Sequence, residues 1–263
     1  MADLFDPHLL AQRRDRAARM GLEPFLFERV FEDCLERIGM AQQRFASAVL
    51  LGCPIPSWRE RLASAADKVS VADPGEIFAA RAGGQQLIED RWQPAPAAYD
   101  LILTIGTLDT VNELPHVLGS LRRAMLPGGL FIGAFAGADT LPQLRAAMLA
   151  ADMADGGVRP HVHPRIEASA VAPLLEMTGF TNPVVDVERV PVAYPSLARL
   201  VDDLRRMGAT NVLTSRSGPL SRSAFKTASA AFAAAGDGSR TTEIMEIVHF
   251  AAWCPAAAVA SLQ

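Results

Sequence analysis

The chain has 263 residues, half of them hydrophobic and 21% charged; that is enough apolar surface to fold, too much for a disordered chain, and near the ceiling for a single core. Lys plus Arg number 25 against 29 Asp plus Glu, a net charge of -4, which excludes the global basic field that draws in nucleic acid. Three cysteines, Cys34, Cys53 and Cys254, form no CxxC; they exclude a disulfide framework and a structural zinc site and fit a reducing cytoplasm.

From Pro7 to Met40 apolar residues recur every three to four positions and predict two helices, split near Gly21 to Pro24. SAVLLGC, residues 47–53, is a continuous apolar run ended by Gly52 and Pro54, as expected of a strand buried on both faces of a parallel sheet. A helix over 58–66, a strand over 68–72 ending at Asp73, a helical piece over 77–82 and a short strand over 86–88 follow. YDLILTI (99–105) is the clearest strand, and the helix over 114–126 is expected to end at Pro127-Gly128-Gly129. A strand over 130–136, a helix over 141–153 capped by Asp139 or Thr140, a helix over 168–178 and a strand over 183–192 come next. Helices over 197–207 and 221–235 precede a closing strand over 243–253, with a turn at Gly236 to Gly238 suited to an antiparallel edge pair. Strands alternating with helices predict an α/β fold, a doubly wound, mostly parallel sheet covered on both faces.

The longest apolar stretch, residues 126–138, is broken by prolines and glycines and is too short for a membrane span. Arg13, Arg14, Arg16 and Arg19 alternate with acids and precede no secretory apolar core, so the N-terminus reads as mature, cytoplasmic protein. Those arginines form either a solvated helix face or a grip for an acidic partner.

In doubly wound sheets ligands lie beyond the carboxyl ends of the strands, so the residues just after each strand carry the functional expectation. After the first strand comes Gly52-Cys53-Pro54-Ile55-Pro56, where Gly52 permits close backbone approach, while the two prolines fix φ and remove two N–H donors. Asp73 follows the second strand, at the place of an acid that holds a ribose diol or simply begins a turn before Pro74-Gly75. Glu89 and Asp90 follow the third strand, and Asp109 is the one ionisable group of Gly106-Thr107-Leu108-Asp109-Thr110 after the fourth. His161 and His163 flank Val162 and would share one side of an extended segment, but the sequence nominates no third metal ligand. Cys53 has no adjacent histidine to activate it and is expected to be inert. No catalytic residue is nominated.

Several strings resemble class I S-adenosylmethionine-dependent methyltransferases, in particular the methyltransferase-like assembly factor of respiratory complex I and its bacterial relatives. They are LFDPHLLAQRRDRAA (4–18), VNELPHVLGSLRRAMLPGGLFIGAFAGADTLPQLR (111–145), RPHVHP (159–164), LLEMTGF (174–180), YPSLARLVDDLRRMGATN (194–211) and EIVHFAAW (246–253). The resemblance implies a Rossmann-like seven-stranded fold, with a helical segment over 1–40 and a methyltransferase-like domain over 41–263. It implies that S-adenosylmethionine is held by Gly52, by Asp73 at the ribose and by Glu89 or Asp90 at the adenine, with Asp109 contacting cofactor or acceptor. LLGCPIP (50–56) departs from the family's DLGCGxG, and TLDTVNELP (107–115) lacks its His-Trp pair. Three expectations follow: methyl transfer to a protein or small acceptor, a non-catalytic assembly factor binding a complex I subunit, and hydroxylation of an arginine on such a subunit. A malonyl-carrier methyltransferase shares the fold, but the C-terminal strings point elsewhere.

Overall fold

The computed structural model describes residues 3–216 and 218–256. The first half of the chain runs α1 (Pro7–Met20), α2 (Phe25–Met40), β1 (Phe45–Leu51), α3 (Ser57–Leu62), β2 (Ala66–Asp73), α4 (Glu76–Arg81), β3 (Gln85–Gln86) and β4 (Tyr99–Ile105). The second half runs α5 (Leu114–Ala124), β5 (Met125–Ala136), α6 (Pro142–Asp155), α7 (Ala168–Met177), β6 (Thr181–Tyr194), α8 (Leu197–Arg206), α9 (Arg222–Ala234) and β7 (Thr241–Trp253). One sheet in the order β3-β2-β1-β4-β5-β7-β6 collects all seven strands. Its first five strands are mutually parallel, and β7 is antiparallel to both β5 and β6. This is the expected doubly wound architecture with an antiparallel edge.

Alternation along each strand divides the core in two. Leu50, Leu101 and Leu103 pack with Phe31 of α2 and Trp58 of α3 on one face. Val49, Ile102 and Phe131 pack with Leu121 of α5 and Leu175 of α7 on the other. The Phe31 and Trp58 rings stack at 4.3 Å, and the Trp58 indole donates to Glu28, so the helix pair is registered as well as buried. A third apolar group, including Leu144, Leu200 and Phe232, joins α6, α8 and α9 beyond the sheet. Among the described residues no helix is long and apolar enough to cross a membrane.

Three local expectations are corrected. Pro127-Gly128-Gly129 lies inside β5, because α5 already stops at Ala124 and the Gly128 N–H and Gly129 carbonyl pair with Cys254. Neither Asp139 nor Thr140 caps α6; the Glu243 carboxylate, arriving from β7, accepts the Gln143 and Leu144 N–H groups at 3.2 and 2.5 Å, a cap that no local pattern can reveal. The turn at Gly236 to Gly238 joins α9 to β7 rather than two strands.

Candidate functional site

The carboxyl ends of β1, β2 and β4 meet where the sequence places the site. Gly52 takes φ +80°, and a Cβ there would lie 2.3 Å from the Ile105 carbonyl oxygen of β4; only glycine lets these strand ends close together. The next N–H, that of Cys53, donates to Asp73 Oδ2 at 2.8 Å, and the Gly75 N–H donates to Asp73 Oδ1 at 2.7 Å. Asp73 therefore organises both loops that surround it.

Its remaining bonding capacity is taken by Arg14. From α1 the guanidinium reaches across the strand ends as a two-pronged fork, Nε to Oδ1 at 2.7 Å and Nη2 to Oδ2 at 2.5 Å, the geometry in which arginine binds carboxylate best. Asp73 is 0% and Arg14 3% exposed. Burial pulls the Arg14 guanidinium down, but the charge and hydrogen bonds of Asp73 more than offset it and leave it above its ordinary value. Two glycines make room for α1: a Cβ on Gly75 would lie 2.8 Å from Arg14 Cβ, and one on Gly208 would lie 3.2 Å from Arg14 Cα. Further ties hold the helix down. Asp15 accepts the Ile77 N–H of α4, Arg81 donates to the Ala18 carbonyl, and Arg206 of α8 donates to the Met20 carbonyl.

As arranged, these residues do not fit a ribose. Both Asp73 oxygens already accept two N–H donors each, so a diol could bind only by displacing Arg14, and Pro54 and Pro56 leave the β1 loop short of donors. Cys53 is fully buried, donates to the Ile55 carbonyl, and its thiol is pushed up to about 12 by burial and then by Asp73; a group held protonated is no nucleophile.

The other expected site residues separate. Glu89 lies near Arg14 and Asp73, is 7% exposed, and has one carboxyl oxygen without a partner; burial pushes its acid up to about 8. Asp90 turns away and accepts the Asn112 and Glu113 N–H groups at the entry to α5, while Asn112 exchanges hydrogen bonds with the Phe5 backbone. Asp109 sits beyond β4 and pairs with Arg165. That pair borders a cavity of about 140 Å³ walled mainly by apolar side chains, among them Phe27, Ile105, Phe135 and Met245. The spacing Leu10, Arg14, Ala17, Ala18 on one face of α1 is the signal that singles out Arg14 among its neighbouring arginines; nothing local singles out Arg165.

His161 and His163 do not converge. His161 Nε2 lies 2.9 Å from Asp152 Oδ1, whereas His163 Nε2 accepts the Val212 N–H at 2.7 Å and its ring meets Phe5 edge-on. Burial, then Arg165 and Arg145, push His163 down to about 3. Because an unfolded histidine binds its proton near 6.5, this contribution to stability is present above that value and lost as pH falls from about 6.5 towards 3. His163→Gln, which keeps an acceptor for Val212, is expected to flatten the stability profile over that window in urea titrations; an unchanged acid limb would show that another group sets it.

No family model matches the chain. It is 29% identical over 246 residues to the mitochondrial arginine-hydroxylase NDUFAF5 of Rattus norvegicus, covering 88% of this chain and 71% of that protein. It is 32% identical over 162 residues to the Dictyostelium discoideum arginine-hydroxylase NDUFAF5, of whose length the match spans only 37%. A malonyl-[acyl-carrier protein] O-methyltransferase of Xylella fastidiosa is 32% identical over 163 residues, covering 61% of this chain and 54% of that one. Among solved structures, YcgJ of Bacillus subtilis superposes with TM-score 0.59 at 10% identity over 86% of this chain and 99% of its own. A methyltransferase-like protein of Bacillus halodurans gives 0.56 at 13%, over 86% and 100%. By sequence the chain is homologous to the NDUFAF5 arginine hydroxylases and the malonyl-[acyl-carrier protein] O-methyltransferases, and by structure it has a Rossmann-like fold shared with solved methyltransferase-like proteins.

Proposed function

We propose that this protein acts as a methyltransferase-like assembly factor that binds a protein partner, a respiratory complex I subunit being the class its resemblance implies, without seating S-adenosylmethionine at Asp73. The observation that supports this reading is the Arg14 fork, which takes the carboxylate oxygens a ribose would need. A guanidinium fixed on a tethered helix is already at the carboxylate, whereas a free ligand must lose its translational freedom and displace it. Under this reading the former cofactor end stabilises the scaffold, and the surfaces left for recognition are those of α6 to α9 and the β6 edge.

A second reading, methyl transfer to a protein or small acceptor, is favoured by the fold and by the retention of Gly52 and Asp73. It requires α1 to swing away from Asp73. Arginine hydroxylation, the activity named for the NDUFAF5 relatives, is a two-electron oxidation of a subunit arginine and requires an external oxidant.

Isothermal titration with S-adenosylmethionine and S-adenosylhomocysteine separates the first two. The assembly-factor reading expects no binding up to millimolar ligand; micromolar binding that Asp73→Ala abolishes overturns it in favour of transfer. Complementation gives the positive arm. A cell lacking the gene is expected to lose assembled complex I and to regain it with an Arg14→Met/Asp73→Asn variant. Loss of rescue by that variant, once shown to be folded, would mean that the charged pair itself is needed for function; retained assembly in the deletion strain would remove complex I from the proposal.

A further inference from the structure

The cavity beside Asp109 has a neighbour. A second cavity, of about 180 Å³, adjoins it, and the two share Leu141, His163, Arg165, Leu204 and Ala209 as a common waist. Phe27, Phe135 and Met245 line the first chamber, and Leu144, Met148 and Val201 the second. Each is comparable to the cavity of about 150 Å³ that takes up a benzene ring in a protein core. With these shared residues between them, the two chambers lie side by side among the sheet end, α2, α6 and α8.

The waist is the polar and strained part. Leu141 is buried with φ +63° and ψ +47°, a left-handed conformation that a leucine adopts only when its surroundings impose it. Arg165 is met there by a single carboxylate, Asp109. Arg145 stands behind, donating to the His163 and Thr140 carbonyls, with Asp139 and Glu243 as its nearest carboxylates. His163, which faces both chambers, feels the positive charges of Arg165 and Arg145 as its charged neighbours and stays neutral, adding no counter-charge. Arg165 keeps its buried Nε without a hydrogen-bond partner, so the waist offers an open N–H donor between two mainly apolar spaces; Glu246, the other acid bordering the first chamber, is engaged by Arg189 and the Asp139 N–H.

We infer that these two chambers form one binding site for a medium-chain aliphatic monocarboxylate, its chain in the apolar space and its head group at the Arg165 waist. Apolar walls supply the favourable transfer of the chain, and a few placed polar groups fix its orientation. The inference rests on α1 staying seated on Asp73, since Arg14 borders the first chamber although Asp73 lines neither.

The test is titration of the full chain, below micelle-forming concentrations, with decanoate, butyrate, malonate and decylammonium. Decanoate is expected to bind at least about tenfold more tightly than each of the others, because only it has both the chain and the negative head group. Ala136→Phe, at the end of β5, fills the first chamber, and Val201→Phe, on α8, fills the second; each is expected to weaken decanoate about tenfold, and either alone suffices should the other fail to fold. An Arg165→Gln/Asp109→Asn pair, which keeps shape while removing both charges, is expected to erase the preference for decanoate over decylammonium. Equal binding of the two amphiphiles by the unmodified chain, malonate binding as tightly as decanoate, unchanged affinity in both folded filling variants, or no binding at all would overturn the inference.

Discussion

Arg14→Ala is expected to lower the free energy of unfolding by about 3–5 kcal/mol, the cost of stranding one partner of a buried ion pair. The Asp73 carboxylate would keep its hydrogen bonds from the Cys53 and Gly75 N–H groups but lose its counter-charge in a site from which water is excluded. Arg14→Lys cannot restore the pair, since a point-charge ammonium cannot make the two parallel bonds that the fork makes. Arg14→Met combined with Asp73→Asn, in contrast, removes both charges, but the amide keeps one acceptor oxygen for the Cys53 and Gly75 N–H groups, so the double variant should cost about 1–3 kcal/mol, less than Arg14→Ala. Urea denaturation of the unmodified chain, Arg14→Met, Asp73→Asn and the double variant closes a double-mutant cycle. A single-variant cost below about 1 kcal/mol would mean that α1 is only loosely seated, and the transfer reading would then gain the open Asp73 it requires.

The size of that effect matters for function because the same contact decides what the strand ends can bind. Asp73 lies at the end of β2, where doubly wound folds present an acid to ligands. Here α1 converts that acid into a tether for the N-terminus: Gly75 and Gly208 admit the helix backbone, Phe78 lies under the guanidinium at 5.4 Å, and Asp15 caps into α4. The contact joins residues 59 positions apart and fixes the relation between α1 and the sheet. The ends of β1 and β2 are closed around an arginine of the same chain.

The strands and their alternation with helices were legible because continuous apolar runs bounded by glycine and proline leave few alternatives; YDLILTI matches β4 residue for residue. What stayed hidden was long-range. Glu243 capping α6 and Arg165 meeting Asp109 join residues distant in sequence, with nothing local to mark them. The PGG turn misled because glycines that usually stop a helix also tolerate the backbone twist needed to pair with Cys254. Asp73 and Gly52 lie where the sequence put them, at adjacent strand ends. The residue that determines what Asp73 can do, Arg14, was visible only as one of a set of arginines, until helical phase separates it from the solvated ones.

Glu89→Gln is expected to reverse the alkaline half of the stability profile. Burial holds the folded Glu89 acid at about 8, against an ordinary glutamate value of 4.5. Between those limits the native chain keeps a proton that the unfolded chain has released, so stability falls as pH rises. The contribution is complete below about 4.5, where both states are protonated, and is gone above about 8. A buried acid that feels the charges of Arg14 and Asp73 does not titrate alone, so the total change is of order 1–4 kcal/mol rather than the full linkage of each unit. Glutamine keeps the shape of the protonated acid without a proton to lose. The variant should match the unmodified chain at pH 4 and exceed its stability at pH 8.5, by chemical denaturation at each pH. Since the His163 contribution falls in the opposite direction over an overlapping window, Glu89→Gln should also steepen the rise in stability from about pH 4.5 to 6.5. Parallel profiles for the two proteins would show instead that Glu89 ionises freely in the folded chain, and that the strand ends beside Arg14 are open to water.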